Sequence, residues 1–280
     1  RQRFNSLRSL IGSGASLIGP AVAGGLLIAG TPEFAIYMNA IAFLLSGLIT
    51  LLLPNLDKKK DSDTTSNTLS LTVLKKDWNT VINFSRKHVY VVCVYFLFQS
   101  MFVLATATDS LELSFAKEVL LLTDSEYGFL VSIAGAGFIL GAITNTILSK
   151  KLAPSFLIGI GSLFIAIGYL IYAFSNVFLI AAIGFFILSF SMAYANTGFY
   201  TFYQNNVPVH IMGRIGSIYG LVIALVTIFI TILSGVATQF ISIQLVVIVG
   251  SLIMLFITIV LCVFTLFPSQ SKLYSTESIK

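Results

Sequence analysis

The sequence predicts an all-α polytopic membrane protein with eight transmembrane helices. Three observations carry this. Eight apolar runs recur along 280 residues, each of roughly 20 residues, enough to cross about 30 Å of hydrocarbon as helix. Only 10% of residues are charged and 57% are hydrophobic, against roughly 25% charged in a soluble chain. Finally, fifteen of the sixteen Lys and Arg residues fall in connections on one side of those runs. Lys and Arg stay cytoplasmic as helices insert. Both termini are therefore expected in the cytoplasm, with Lys117 as the lone outer base. The +5 net charge follows from this sorting and does not point to nucleic acid, because no single folded surface gathers it.

The spans are expected at residues 10–28, 34–53, 89–108, 127–147, 155–174, 177–199, 217–237 and 245–267. Residues 1–53 supply two spans and residues 54–88 a long cytoplasmic connection. A six-span bundle is expected over 89–267 and a cytoplasmic tail over 268–280. The chain opens on Arg1 rather than Met, in what reads as a cytoplasmic loop, so a fragment or a truncated frame is expected.

In the first span, Gly12, Ser16, Gly19 and Ala23 form a small-residue seam. Pro20 adds a kink by removing one backbone hydrogen bond. Residues 57–67 are polar and charge-dense, the composition of a linker. Leu71, Leu74, Trp78 and Val81 then fall at helical spacing, with Lys75, Lys76, Asp77, Asn79 and Arg86 opposite. That pattern fits an amphipathic helix on the inner leaflet with Trp78 at headgroup level, or a solvated loop helix.

The third span places Gln99, Phe102, Thr106 and Asp109 on one face. The sixth does the same with Ser189, Met192, Asn196, Phe199 and Tyr203, and Tyr200 lies beside this stripe. Polar groups are expensive in lipid, so such stripes face protein or water. Their mixture with rings and Met suits an amphiphilic ligand; helix-to-helix hydrogen bonding is the alternative. Asp109 is the candidate proton or cation group, or else a hydrated carboxylate at the outer rim. The acidic loop from Asp109 to Glu126 complements the basic inner side, or attracts cations.

In the fourth span, Gly137 and Gly141 form a small-xxx-small pair for close helix approach. Leucine at either is expected to do more damage than leucine at Gly168. The run from Gly135 to Gly141 lies inside a span with no preceding strand, so a phosphate loop is excluded. Gly216 and Gly220 open the seventh span with another small pair. Cys93 and Cys262 lie in apolar runs and read as core residues. His88 and His210 have no Cys, His or Asp neighbours at ligand spacing. No enzyme activity, metal or cofactor is expected.

Several stretches resemble the major facilitator superfamily, in the branch of bacterial macrolide-efflux and siderophore-exporter proteins. Asn5-Ser6-Leu7, Ile18-Gly19-Pro20 and Gly24-Gly25 resemble that family's fifth span. Met38 through Ser46 resembles the sixth, and Ser125-Glu126-Tyr127-Gly128 the entry to the eighth. Gly213-Arg214-Ile215-Gly216-Ser217 resembles the cytoplasmic entry to the eleventh. Gly141 through Lys151 matches the repeated gating motif at Gly141 and Lys150, but Asn145 stands where the family has an acid. The resemblance implies the C-terminal two-thirds of a twelve-span fold. Two spans would end the N-terminal half, a complete six-span half would follow, and the first four spans would be absent.

What the resemblance implies about function is a secondary active transporter of a bacterial cell membrane. Proton-coupled export of amphiphilic, macrolide-like or drug-like small molecules by alternating access is expected, with siderophores or metabolites as alternative substrates. Gln99, Phe102, Thr106, Asn196, Phe199 and Tyr200 are the expected substrate pathway, and Asp109 the expected ion group. Gly19, Pro20, Gly137, Gly141, Asn145, Lys150 and Arg214 are the expected gating or packing positions. A non-functional remnant and a membrane scaffold or accessory subunit are the competing readings.

Overall fold

The computed structural model describes residues 32–52, 71–148 and 152–266. The first expected span, with Gly19 and Pro20, and the loop holding Lys150 lie outside the described residues. Two compact units divide the chain, Arg1–Val73 and Leu74–Lys280.

In the first unit, helix α1 (Pro32–Leu51) falls on the second expected span but is not among the membrane-length helices of the described residues. Its continuous apolar stretch is Ile36–Leu51.

From Leu71 on, the described residues are helical apart from short connections. Helix α2 (Leu71–Lys87) is followed by α3 (Val89–Asp109), the short α4 (Glu112–Glu118), α5 (Asp124–Leu148), α6 (Pro154–Ala173), α7 (Phe178–Asn206), α8 (Val209–Ala237) and α9 (Ile243–Leu266). Six of these, α3 and α5 to α9, are long and apolar enough to cross a membrane. They coincide with the third to eighth expected spans.

Two helices run further than hydropathy suggests. Helices α7 and α8 each have 29 residues, about 44 Å at 1.5 Å per residue. Hydropathy falls after Phe199, yet nothing in Tyr200–Asn206 breaks a helix. Pro208 does, and it serves as the N-cap of α8 with φ −60° and ψ 134°. His210 and Arg214, expected in a loop, therefore lie in the first turns of α8.

The connection after Asp109 also departs from a plain acidic loop. It contains α4, whose Phe115 and Ala116 are fully buried, and Leu111, Leu120 and Leu122 are buried around it. Leu111, Phe115 and Val119 repeat every four residues, so the chain folds back onto the ends of the long helices. The segment turns at Leu121, which takes φ 53°, a left-handed conformation that costs a non-glycine residue roughly 1–2 kcal/mol.

Packing order follows the glycines. Helix α6 packs on α7 and α9, α5 on α7, and α9 also on α3; α8 packs chiefly on α3. At the α5–α7 seam, a Cβ added to Gly137 would lie 2.7 Å from the Phe186 carbonyl oxygen, and one on Gly141 would run into the Phe190 carbonyl. Asn145, two turns past Gly137, continues the seam. Its Nδ2 donates to Thr197 Oγ1 at 2.6 Å and to the Ala193 carbonyl at 3.3 Å. Its Oδ1 is buried without a partner. A neutral group thus pins α5 to α7 where the resemblance implies an acid.

Gly168, ranked below Gly137 and Gly141, proves as confined as Gly137. A Cβ there would sit 2.7 Å from the Leu188 backbone nitrogen and 2.8 Å from the Gly184 carbonyl oxygen. Gly184 is equally confined, 2.8 Å from the Gly168 carbonyl oxygen. The two glycines let the α6 and α7 backbones touch. Small-residue spacing within one helix misses this contact, because its halves sit on two helices.

Exposed apolar side chains cover the flanks. Leu221, Leu225, Ile228, Phe229 and Ile232 of α8, and Phe129, Val131, Leu140 and Ile143 of α5, are exposed. Contiguous apolar surface of this kind is stable only against lipid or protein.

Candidate functional site

A cavity of about 370 Å³ lies between α3, α7 and α8. Its wall is made by Tyr95, Phe98, Gln99 and Phe102 of α3, by Asn196, Phe199, Tyr200 and Tyr203 of α7, and by Gly216 of α8. Helical geometry explains the grouping. Residues 95, 99 and 102 recur every three to four positions on α3, as do 196, 199, 200 and 203 on α7, so each set shares one face. Gln99 lies midway along α3, the depth at which a bare amide in lipid costs most.

The wall is held by stacked rings. Phe98 and Phe199 stack face to face, centroids 4.2 Å apart and planes 7° from parallel. Tyr95 touches Phe199, Tyr203 and Tyr219 at centroid distances of 5.5, 5.8 and 5.0 Å. The Tyr203 hydroxyl donates to the Met212 carbonyl at 3.2 Å, joining α7 to α8. Among the described residues no charged side chain lines this cavity. It offers ring faces, two amides and tyrosine hydroxyls, a surface for broad apolar contact with a few directed hydrogen bonds. Among the described residues no group of three or more His, Cys, Asp or Glu could hold a metal ion.

Five of the six expected pathway residues line this one cavity: Gln99, Phe102, Asn196, Phe199 and Tyr200. Thr106 does not. Its hydroxyl donates to the Phe102 carbonyl of its own helix at 2.9 Å, as hydroxyls within helices commonly do. Ser189 and Met192 lie one to two turns before Asn196 on α7, outside the wall. Tyr95 and Phe98 complete the wall beyond the expected stripe. The signal for them was present, since Tyr95 is one turn before Gln99 and Phe98 one turn before Phe102.

Asp109 lies at the far end of α3, away from the cavity. The buried Tyr169 of α6 donates to its Oδ1 at 2.7 Å. One turn on, Glu112 of α4 accepts from the Tyr127 hydroxyl of α5 at 2.9 Å, and the Tyr172 hydroxyl of α6 reaches the Glu112 carbonyl at 3.2 Å. Two carboxylates and three tyrosines thus clasp α3, α4, α5 and α6 together. Lys117, the one base nearby in the chain, is engaged by Asp124 instead.

Burial pushes the Glu112 carboxyl up to about 7, opposed by the Tyr127 hydrogen bond and assisted by the Asp109 charge. The folded state therefore binds a proton more tightly than the unfolded state. Stability from this group is fully present below the ordinary carboxylate range and is lost as pH rises through about 7. In Glu112→Gln the amide oxygen still accepts from Tyr127 and the titration is gone. Thermal melts in detergent should show the parent losing stability between about pH 5 and pH 8 and the variant losing less. Identical pH profiles would remove Glu112 from the titration.

The family model described as Major Facilitator Superfamily matches residues 1–231. A solved structure of a fucose:proton symporter variant from E. coli superposes with a TM-score of 0.55 at 15% sequence identity. That match covers 86% of this chain and 60% of the symporter chain, so this chain spans less than two-thirds of the symporter's length. At that identity the likeness speaks for the fold alone. No curated protein matches the chain in sequence. The helical architecture, the six membrane-length helices and a family match over most of the chain agree: this chain belongs to the Major Facilitator Superfamily.

Proposed function

We propose that the chain works in a proton-driven secondary exporter of amphiphilic, drug-like or macrolide-like small molecules, moving them by alternating access. The observation that carries this reading is the cavity lining. Six ring faces and two amides, with no fixed charge among the described lining residues, suit a large apolar body with a few polar groups. Export rather than uptake rests on the resemblance to macrolide-efflux and siderophore-exporter proteins. The orientation follows the basic residues: both termini and α2 are cytoplasmic, α4 is external, and the membrane is a bacterial plasma membrane. Gly137, Gly141 and Asn145 act as the seam along which α5 meets α7, and Arg214 acts at the cytoplasmic end.

Proton coupling is assigned to the Asp109 end, where a carboxylate is held by a buried tyrosine. The experiment uses the protein in proteoliposomes with an imposed pH gradient and a fluorescent lipophilic dye. Asp109→Asn is expected to abolish gradient-driven accumulation while leaving dye counterflow intact. Loss of neither activity would make Asp109 a hydrated rim charge. Absence of dye movement in the parent protein under any gradient would overturn transport by this chain.

A further inference from the structure

Helix α8 is the least embedded of the six spans. It packs chiefly on α3, and its apolar face is open. At the end nearest His88, however, it is fastened to α2 at two points. Arg214 Nε lies 3.0 Å from Asp77 Oδ1. The Tyr219 hydroxyl lies 2.6 Å from Ser85 Oγ. Ser85 Oγ is also 2.7 Å from the Val81 carbonyl. A serine has one proton to give; it goes to Val81, so Tyr219 is the donor to Ser85. Helix α2 is itself anchored, with Val81 and Phe84 buried in the core and the Phe84 ring stacked on His88 at 4.6 Å.

Tyr219 connects this attachment to the cavity. Its ring packs 5.0 Å from Tyr95 and 4.9 Å from Phe96, and Tyr95 is part of the cavity wall. Gly216, one turn before Tyr219, is the only α8 residue in that wall. A shift of α8 away from α2 therefore moves Gly216 and Tyr219 together and opens the cavity end formed by Tyr95, Tyr203 and Gly216.

We infer that α2 is a tether that sets the position of α8, with Asp77 and Ser85 as positioning residues for the cavity wall. The partners of the tether are part-exposed, with side-chain exposure of 48% for Arg214 and 31% for Asp77. Ion pairs of that kind are weak and screened by salt, as a fastening that must release requires. The role of this motion in transport rests on the cavity being the substrate site. The tether itself does not, and its test reads geometry rather than transport.

The test uses the full chain in detergent, lacking Cys93 and Cys262 and carrying Gly216→Cys as reporter. A Cβ at Gly216 has room, its nearest neighbour being the Tyr203 hydroxyl at 3.8 Å. The reporter is labelled with a maleimide, and Gly235→Cys at the far end of α8 is the control. Trp78, the single tryptophan, adjoins Asp77 and reports detachment of α2 by its emission. Asp77→Arg with Ser85→Ala should raise the labelling rate at position 216 severalfold and shift Trp78 emission, leaving position 235 unchanged. In a Ser85 background, Asp77→Arg alone should raise the rate, and exchanging the pair as Asp77→Arg with Arg214→Asp should restore it. Raising the ionic strength to about 1 M, where the Debye length is about 3 Å, tests the unsubstituted pair should a variant fail to fold. A Trp78 shift without any change at position 216, equal changes at 216 and 235, or no rescue by the exchanged pair would each overturn the tether.

Discussion

Leucine at Gly168 is expected to abolish the folded bundle, and leucine at Gly184 to do the same. Each glycine faces the other helix's backbone, and the added Cβ alone would lie within 2.9 Å of backbone atoms. A clash with a flexible side chain can be relieved by a rotamer change; a clash with a carbonyl oxygen cannot. The helices must separate, and α6 also carries α9, so the damage spreads through half the bundle. Overpacking a core costs roughly 1–3 kcal/mol where side chains can adjust, and this cost should exceed that range. Gly141→Leu belongs with them, since it meets the Phe190 carbonyl. Gly135→Leu and Gly235→Leu provide the contrast, because nothing lies within 4 Å of a Cβ at either. Yield of monodisperse protein and thermal melts in detergent read the result. Comparable stability for Gly168→Leu and Gly235→Leu would refute the close α6–α7 approach.

Most of the architecture was legible because membrane insertion depends on summed hydropathy and on the side holding Lys and Arg. Both are one-dimensional properties. The six described spans accordingly fall within a few residues of their expected positions, except where hydropathy and helix length part company at Tyr200–Asn206 and Val209–Arg214. Within a span, helical spacing sufficed to bring Gln99 to Phe102, and Asn196 to Phe199 and Tyr200.

Spacing says nothing about which helix a face meets. That is why spacing ranks Gly168 below Gly137 and Gly141, and why Tyr219 falls outside the expected pathway while its ring packs on a cavity tyrosine. Helix α4 was hidden for another reason. Its acidic residues advertised a solvated loop, whereas Leu111 and Phe115 anchor the segment in the core. Nothing in the sequence of that loop singles out Glu112, whose carboxyl is pushed up to about 7 by burial.

The second large effect is expected at the amides of the cavity. Gln99→Leu and Asn196→Leu should each impair dye transport while leaving the protein inserted and stable. Both substitutions make a span more apolar, so insertion is not compromised. Neither amide is deeply buried: both are half-exposed toward the cavity. Gln99 lies within hydrogen-bonding reach of Tyr95, so some loss of internal bonding accompanies the change. Interhelical hydrogen bonds measured in a membrane protein average about 0.6 kcal/mol, so that loss is small against the stability of a bundle. A lost hydrogen bond to a bound ligand in a dry site is worth more, about 1–3 kcal/mol where a polar group is left unpaired, or roughly fivefold to over a hundredfold in affinity. The two outcomes separate by substrate. If the amides serve only as internal struts, every dye is affected alike and the melting temperature falls with activity. If they face ligand, the loss is greatest for dyes with acceptors and donors to match an amide and least for purely apolar ones. Phe98→Ala gives the complementary result, since removing half of the Phe98–Phe199 stack strips apolar contact from every ligand. A uniform loss across dyes for Gln99→Leu and Asn196→Leu, in step with reduced protein in the membrane, would return both amides to structural roles and leave the cavity without a ligand.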